Sequence, residues 1–369
     1  MKINCNAASL AEACLNVQRA AAQKSTLPTL ECIMLQTNEH GVELSGYDLE
    51  MGINTVVDAT VEREGGILLN AKTLCEILRH LPKAPVSIEA DDKHICTIKC
   101  KETEFSLIGF PASEFPDMPI VMGGVPVVLP QCLLRDMIRQ TIFAVSVDDS
   151  KMVHKGVKFE IESGEMKLIA LDGYRLAIRR ERIDYQGESI SFIVPAKTLS
   201  EVIKFINDEN GLISLSLGKR HIVFSINGYN IVSRLLEGDF LNYKSAVPEH
   251  HSATVKVRTR ELIESIERIS LVITEKFKIP MKCVFDNDSI RFSCSTTVGV
   301  ANDKISATME GERIEIGFNN RFLLDALRAA DTDEVSIKLS GPLSPVIITP
   351  PQGDGFIFLV LPARLRNED

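Results

Sequence analysis

One pattern occurs three times along this chain at nearly constant spacing. It runs Asn70-Ala-Lys-Thr-Leu-Cys-Glu-Ile-Leu-Arg79, then Pro195-Ala-Lys-Thr-Leu-Ser-Glu-Val-Ile-Lys204, then Asn319-Asn-Arg-Phe-Leu-Leu-Asp-Ala-Leu-Arg328. The starts at 70, 195 and 319 define a period of about 124, which divides the 369 residues into three. At 100° per residue, Leu74, Ile77, Leu78 and Leu81 share one face and Lys72, Glu76 and Arg79 the opposite one. Leu199, Val202, Ile203 and Ile206 likewise oppose Lys197, Glu201 and Lys204, and Leu323, Ala326, Leu327 and Ala330 oppose Arg321, Asp325 and Arg328. Each copy therefore predicts a half-buried helix whose outer face reads base, acid at +4, base at +7. One such face is ordinarily a solvated surface. Three in the same register give it functional weight.

The spacing predicts helices over 7–24, 70–83, 131–146, 195–206, 258–270 and 319–330, two in each repeat. Between them, alternating and β-branched runs bounded by Gly, Asn and Asp predict strands, so each unit reads helix, strands, helix, strands. The middle strands Val42-Glu-Leu-Ser-Gly-Tyr-Asp48, Met166-Lys-Leu-Ile-Ala-Leu-Asp172 and Ile290-Arg-Phe-Ser-Cys-Ser-Thr296 keep the period. The expected fold class is α+β: three tandem copies of a two-helix, antiparallel-sheet domain at 1–122, 123–250 and 251–369. Short linkers fall at Pro116-Asp-Met-Pro119 to Pro126 and at Pro248-Glu-His-His251.

An apolar content of 45% supports real cores, and no window holds the roughly 18 uninterrupted apolar residues of a membrane span. The start, Met1-Lys-Ile-Asn-Cys-Asn6, has no signal-peptide apolar stretch, so a cytoplasmic location without membrane association is expected. Nine cysteines form no zinc spacing; Cys96 and Cys100 share a strand-like run with no second pair or histidine nearby. Reduced, packed thiols with no metal and no cofactor are expected.

The repeats carry Phe110-Pro-Ala-Ser-Glu-Phe-Pro-Asp117, Leu171-Asp-Gly-Tyr-Arg-Leu-Ala177, Leu236-Glu-Gly-Asp-Phe240 and Val360-Leu-Pro-Ala-Arg-Leu365. With these strings in this order, essentially the whole chain closely resembles the bacterial DNA polymerase III β subunit family, the replication sliding clamps. The resemblance implies a DNA-clamp fold and a head-to-tail homodimer whose six domains close a ring, helices inside and sheets outside. It implies a non-catalytic processivity subunit that encircles double-stranded DNA without sequence preference. It also implies peptide-mediated partners: the replicative DNA polymerase, the clamp loader and repair proteins.

A net charge of −9 is unusual for a nucleic-acid binder, but the six helix windows sum to +6, leaving −15 elsewhere. Charge segregated in this way can present an attractive inner surface to phosphates while an acidic exterior discourages stray association. The candidate pore residues are Arg19, Lys24, Lys72, Arg79, Arg135, Arg139, Lys197, Lys204, Arg260, Arg268, Arg321 and Arg328, as non-specific phosphate contacts. Glu261, Glu264 and Glu267 offset Arg258, Arg260 and Arg268, so the third domain is expected to contribute least. No recognition helix, zinc module or aromatic ladder supplies base readout.

By resemblance, a partner-peptide pocket falls at Lys151, His154, Leu171, Gly173, Tyr174, Arg175, Leu176, Leu241, Val346, Leu359, Leu361, Pro362, Ala363 and Arg364. His154 stands where the family commonly has an apolar residue, and Arg366-Asn-Glu-Asp369 extends past the expected terminus. The corresponding dimer contact falls at Lys72, Ile77, Leu81, Phe105, Leu271 and Val272. Two other classes compete. An enzyme would have to use Asp172 with Arg175, or Asp48, but the third repeat has Thr296 there, and the chain has no P-loop or Gly-x-Ser-x-Gly. An oligomeric scaffold or regulator unrelated to replication would also suit three repeats and an acidic exterior.

Overall fold

The computed structural model describes residues 1–121, 124–148, 150–248, 250–273 and 279–365. The expected boundary at 122/123 and the tail Arg366–Asp369 lie outside the described residues. The first repeat contains β1 (Lys2–Asn6), α1 (Ala7–Val17), β2 (Cys32–Asn38), β3 (Gly41–Tyr47), β4 (Met51–Val57), β5 (Ala59–Arg63) and β6 (Gly66–Asn70). It continues with α2 (Ala71–His80), β7 (Pro85–Ala90), β8 (Ile95–Cys100), β9 (Thr103–Ile108) and β10 (Phe110–Pro111). The second has β11 (Val127–Pro130), α3 (Gln131–Ile142), β12 (Gly156–Glu162), β13 (Glu165–Leu171), β14 (Arg175–Arg182), β15 (Ile190–Pro195), α4 (Ala196–Val202), β16 (Leu212–Leu217), β17 (His221–Ile226) and β18 (Tyr229–Arg234). The third opens with β19 (Ala253–Arg258), α5 (Thr259–Ser270), β20 (Met281–Asp286), β21 (Ser289–Ser295), β22 (Val300–Ser306) and β23 (Thr308–Gly311). It closes with β24 (Ile314–Phe318), α6 (Asn320–Ala329), β25 (Glu334–Leu339), β26 (Val346–Thr349) and β27 (Phe356–Val360).

Each helix is thus preceded by a strand. Two successive strand-helix-three-strand units make up the second repeat, and the same units recur in the first and third with an added strand (β5, β10 and β23), a finer periodicity than the helix, strands, helix, strands reading. The missed strand β1 buries Ile3 and Cys5 in alternation, a short signal that the adjoining helix masks.

The recurring asparagine has a local cause. Asn6, Asn70 and Asn319 are N-caps whose side-chain oxygens accept backbone N–H groups of Ala8 and Ser9, of Thr73, and of Arg321. Four helices stop short of the periodic pattern; α2 ends at His80, with Leu81 extended ahead of Pro82. The first ends at Val17, passes through a 3-10 turn over Gln18–Ala20, and then gives the Ala22 N–H to the Leu30 carbonyl instead of to helix. The Thr141 hydroxyl bonds back to the Met137 carbonyl near the end of α3, and the Ser146 N–H goes to the His154 carbonyl. After Val202 a 3-10 turn over Ile203–Phe205 buries Phe205.

All strand pairs are antiparallel, and contacts divide the chain into two compact units. Met1–Cys132 with Lys197–Leu235 holds a five-stranded sheet, β5-β1-β7-β8-β9, and a nine-stranded one, β10-β6-β2-β3-β4-β18-β17-β16-β11. Leu133–Ala196 with the chain from Leu236 onward holds a nine-stranded sheet, β15-β12-β13-β14-β27-β26-β25-β19-β23, and a four-stranded one, β22-β21-β20-β24. The division cuts the middle repeat because each half of it pairs with a neighbour. β18 lies against β4 (Ile231 opposite Ile53), and β14 against β27 (Leu176 opposite Leu359). Within the first unit α1 packs on α2, and within the second α5 packs on α6. Their apolar stripes (Leu10, Val17, Leu74, Leu78; Leu262, Ile266, Leu323, Leu327) are buried.

Eight cysteines are buried and Cys132 half-buried, all as free thiols; burial pushes the Cys96 thiol up to about 12. Among the described residues no helix is long and apolar enough to cross a membrane.

Candidate functional site

Of the twelve candidate phosphate-contacting cations, Arg135 is half-buried and the other eleven are exposed. Eight of them meet a carboxylate. In the first unit Arg19 and Lys204 share Glu201 (3.5 and 2.7 Å), Arg79 pairs with Glu76 (2.9 Å) and Lys197 with Asp48 (2.7 Å). In the second, Arg135 pairs with Asp136 (3.0 Å), Arg260 with Glu264 (2.8 Å), Arg268 with Asp303 (2.6 Å) and Arg328 with Glu267 (2.7 Å). The expected cancellation on α5 therefore takes another route, because Glu267 serves Arg328 on α6 while Arg268 is held by β22. Arg321 is exposed at the start of α6. Among the described residues Lys24, Lys72 and Arg139 hold no ion pair. The pairs exposed on both sides, Arg79–Glu76, Arg260–Glu264 and Arg328–Glu267, are worth little and exchange readily, so a phosphate can compete for their cations; Asp48 and Glu201 are mostly buried and hold theirs more firmly.

A cleft of about 620 Å³ opens in the first unit between α1, the end of α2 and the chain from Lys204 to Tyr229. Arg19, Arg79, Lys83 and Lys204 line it, with Asn16 donating to the Tyr229 hydroxyl at 3.0 Å. Lys83 lies at the end of the predicted 70–83 window but outside its base, acid, base pattern, and it follows the helix, which ends at His80.

The fourteen candidate pocket residues all belong to the second unit. Leu171, Leu176 and Leu359 are buried in an apolar cluster with Ile169, Ile178 and Tyr243, against which Phe240 packs. Val346 is buried and sits opposite Val360 across the β26–β27 ladder. Around this cluster Tyr174 (61% exposed), Leu241 (53%) and Leu361 (36%) stay accessible. The Leu361 N–H donates to the Tyr174 carbonyl at 2.8 Å, tying the terminal segment to the 172–175 turn. Gly173 makes that turn at φ +94°, a left-handed backbone that favours glycine. Arg175 is charge-paired by Asp172 and Asp325 and lies over the rings of Phe143 and Phe322, 5.7 and 4.7 Å from their centroids. Pro362 and Ala363 are half-buried, with Ala363 bridging to Gly317, while Arg364 and Lys151 are exposed.

His154 is 5% exposed, its ring edge-on to Phe240 at 5.4 Å and its Nδ1 without a hydrogen-bond partner. Burial, then the Lys151 charge, lower its pKa from the ordinary 6.5, against the opposing pull of Asp172. A neutral imidazole thus fills this apolar place beside Phe240. Because the folded-state pKa lies below 6.5, the unfolded chain takes up the proton first as pH falls. This contribution to stability is complete above pH 6.5 and is lost as pH drops through the folded value. Between pH 7 and 5, the melting temperature of wild type is expected to fall more steeply than that of His154→Leu. Parallel slopes in calorimetry would refute this; His221, also depressed by burial, is common to both proteins and cancels.

The candidate dimer residues occupy two edges. Lys72, Ile77 and Leu81 lie on or just after α2, and Phe105 on β9, the last strand of its sheet. Leu271 (83% exposed) and Val272 end α5, whose sheet finishes at the unpaired edge of β22. The carboxylates considered for catalysis have turn-forming roles. Asp48 accepts the N–H groups of Glu50 and Met51, and Asp172 those of Tyr174 and Arg175.

Family models for the DNA polymerase III beta subunit match almost end to end: the N-terminal domain over residues 1–119, the central domain over 128–242 and the C-terminal domain over 244–364. The chain belongs to the DNA polymerase III beta subunit family. A curated beta sliding clamp of Bacillus subtilis is 29% identical over 376 residues, covering 99% of this chain and 100% of that protein. The crystal structure of a protein described as a DNA polymerase III beta subunit from Eubacterium rectale is 33% identical with a TM-score of 0.95, covering 98% and 99% of the two chains. The Bacillus subtilis DNA polymerase sliding clamp superposes with a TM-score of 0.96 at 29% identity, over 99% of this chain and 100% of that one. Three tandem clamp domains of mixed helix and sheet thus account for the threefold period of the sequence.

Proposed function

We propose that the chain is a non-catalytic sliding clamp: two copies close a ring of six domains around duplex DNA and tether polymerase and other replication and repair proteins through the apolar site on the second unit. The domains are those at 1–122, 123–250 and 251–369. The observation that carries the reading is the strand pairing. The third strand after the first helix of repeat 1 (β4) pairs with the third strand after the second helix of repeat 2 (β18), and β14 of repeat 2 pairs with β27 of repeat 3 in the same way. Continuing the rule, β22 of repeat 3, the third strand after α5, requires the third strand after the second helix of another repeat. The one left over is β9 of repeat 1, on a second copy. Both are unpaired sheet edges, and they expose Val300 (66%) on one and Phe105 (37%) and Ile108 (87%) on the other. A head-to-tail dimer satisfies both edges at both ends of each chain and closes. A scaffold unrelated to replication has no such support from the matched family.

Acting on chromosomal DNA, the protein would work in the cytoplasm. The helix cations would supply non-specific phosphate contacts, and the accessible side chains around the Leu171, Leu176 and Leu359 cluster would take leucine and aromatic side chains of a partner peptide. Sedimentation equilibrium tests the ring: the expected mass is twice the 40.8 kDa of the chain, and a monomer at every concentration would overturn it. DNA contact is tested separately with Lys24→Gln and Arg139→Gln, the unpaired cations outside the dimer set. Each change should reduce the salt slope of binding to a short duplex by roughly 0.9, equally for any sequence. An unchanged slope would exclude these residues from the DNA surface.

A further inference from the structure

The two junctions between repeats within the chain share an ionic tie. At the first, Asp48, directly after β3, caps its own turn and takes Lys197 of α4 at 2.7 Å. At the second, Asp172, directly after β13, caps the equivalent turn and holds Arg175, which reaches Asp325 of α6. In both, a turn of one repeat is tied by charge to the second helix of the next, and Asp48 and Asp172 are each only 12% exposed. The same position after β21 is Thr296. Its hydroxyl accepts the Val298 N–H, as the carboxylates accept theirs, but it donates to the Val272 carbonyl at 2.9 Å and carries no charge. None of Thr297, Val298, Gly299 and Val300, which follow it, is acidic. The helix this turn would meet is α2 of a second copy, where Lys72 stands in the register of Lys197 and Arg321. Lys72 is exposed and, among the described residues, holds no ion pair.

We infer that Thr296 leaves the interchain junction without a charged tie of the kind present at both intrachain junctions, Asp48 to Lys197 at the first and Arg175 to Asp325 at the second, so that the partner subunit's Lys72 meets an uncharged turn and the ring closes less firmly than a carboxylate at this position would make it. The inference rests on the head-to-tail dimer reading. It assigns most of the dimer contact to apolar side chains such as Val300 and Ile108, with Thr296 setting a smaller electrostatic contribution to how firmly the ring closes. It also places Lys72 at the junction and not among the phosphate contacts.

The test is a double-mutant cycle read as dimer dissociation constants by sedimentation at low salt. Thr296→Asp supplies the missing carboxylate, and Thr296→Asn keeps the turn acceptor without charge; the Asn amide can still donate to the Val272 carbonyl and the carboxylate cannot, but that difference lies within one chain and is common to both Lys72 backgrounds, so the cycle isolates the charge pairing. Thr296→Asp is expected to bind about threefold more tightly than Thr296→Asn, a gain within the range of exposed ion pairs. The gain should disappear in the Lys72→Gln background and fade as salt is raised. Equal constants for the two variants, or a gain that persists with Lys72→Gln, would overturn the inference while leaving the dimer intact. A wild-type protein that is monomeric throughout would instead remove the ring reading on which it rests.

Discussion

Phe105→Asp and Leu271→Asp are each expected to yield a folded monomer of 40.8 kDa at concentrations where wild type sediments at twice that mass. Leu271 is 83% exposed, so the isolated chain gains almost nothing from its side chain and the melting temperature should hardly move. Phe105 is 37% exposed on an edge strand, so part of its ring packs within its own chain; its variant should lose some melting temperature but stay folded. In a closed ring both side chains would be covered, and an aspartate there would be desolvated without a partner, at a cost of at least a few kcal/mol. Each ring has two such junctions, so the substitution weakens both. A dissociation constant raised by about 100-fold or more is the expected reading. Wild-type affinity in both variants would show that copies associate elsewhere, if at all, and would leave the β9 and β22 edges without an occupant.

Leu241→Asp and Leu361→Asp are expected to weaken binding of a labelled peptide rich in Gln, Leu and Phe by roughly 30-fold or more, the loss typical of an apolar anchor position. Neither residue belongs to the core: Leu241 is 53% exposed and Leu361 36%. The buried cluster of Leu171, Leu176 and Leu359 remains in place. So does the hydrogen bond from the Leu361 backbone to Tyr174, since it does not involve the side chain. Fluorescence anisotropy reads the affinity, and sedimentation of the same samples shows whether the ring persists. Undiminished peptide binding by a variant that still sediments as wild type would refute the assignment of this surface.

Much of the architecture was legible because it is written in local periodicity. The Asn70, Pro195 and Asn319 stretches declared three helices, their outward charges and their register before any contact was known. The strands that open each half-repeat were less visible, being short and immediately followed by helix. Helix ends were misjudged where a distant group takes the backbone donor, as the Leu30 carbonyl does for Ala22 and the His154 carbonyl for Ser146. His154 itself, a departure from the family pattern, becomes intelligible only beside Phe240, where a neutral ring can fill an apolar place.

The threefold repeat, the α+β class, the two amphipathic helices of each repeat and the segregation of positive charge onto them are all readable from residue spacing alone. These depend on neighbours a few residues apart, whose geometry any helix or strand imposes. Only the tertiary structure decided which acid each base meets. Lys197 finds Asp48 across 149 residues and Arg175 finds Asp325 across 150, while Glu267 turns to Arg328 and not to its neighbour Arg268. It also decided which strands join one repeat to the next and which edges are left unpaired. Such pairings depend on the path of the backbone between distant segments, and no spacing in the sequence records that path.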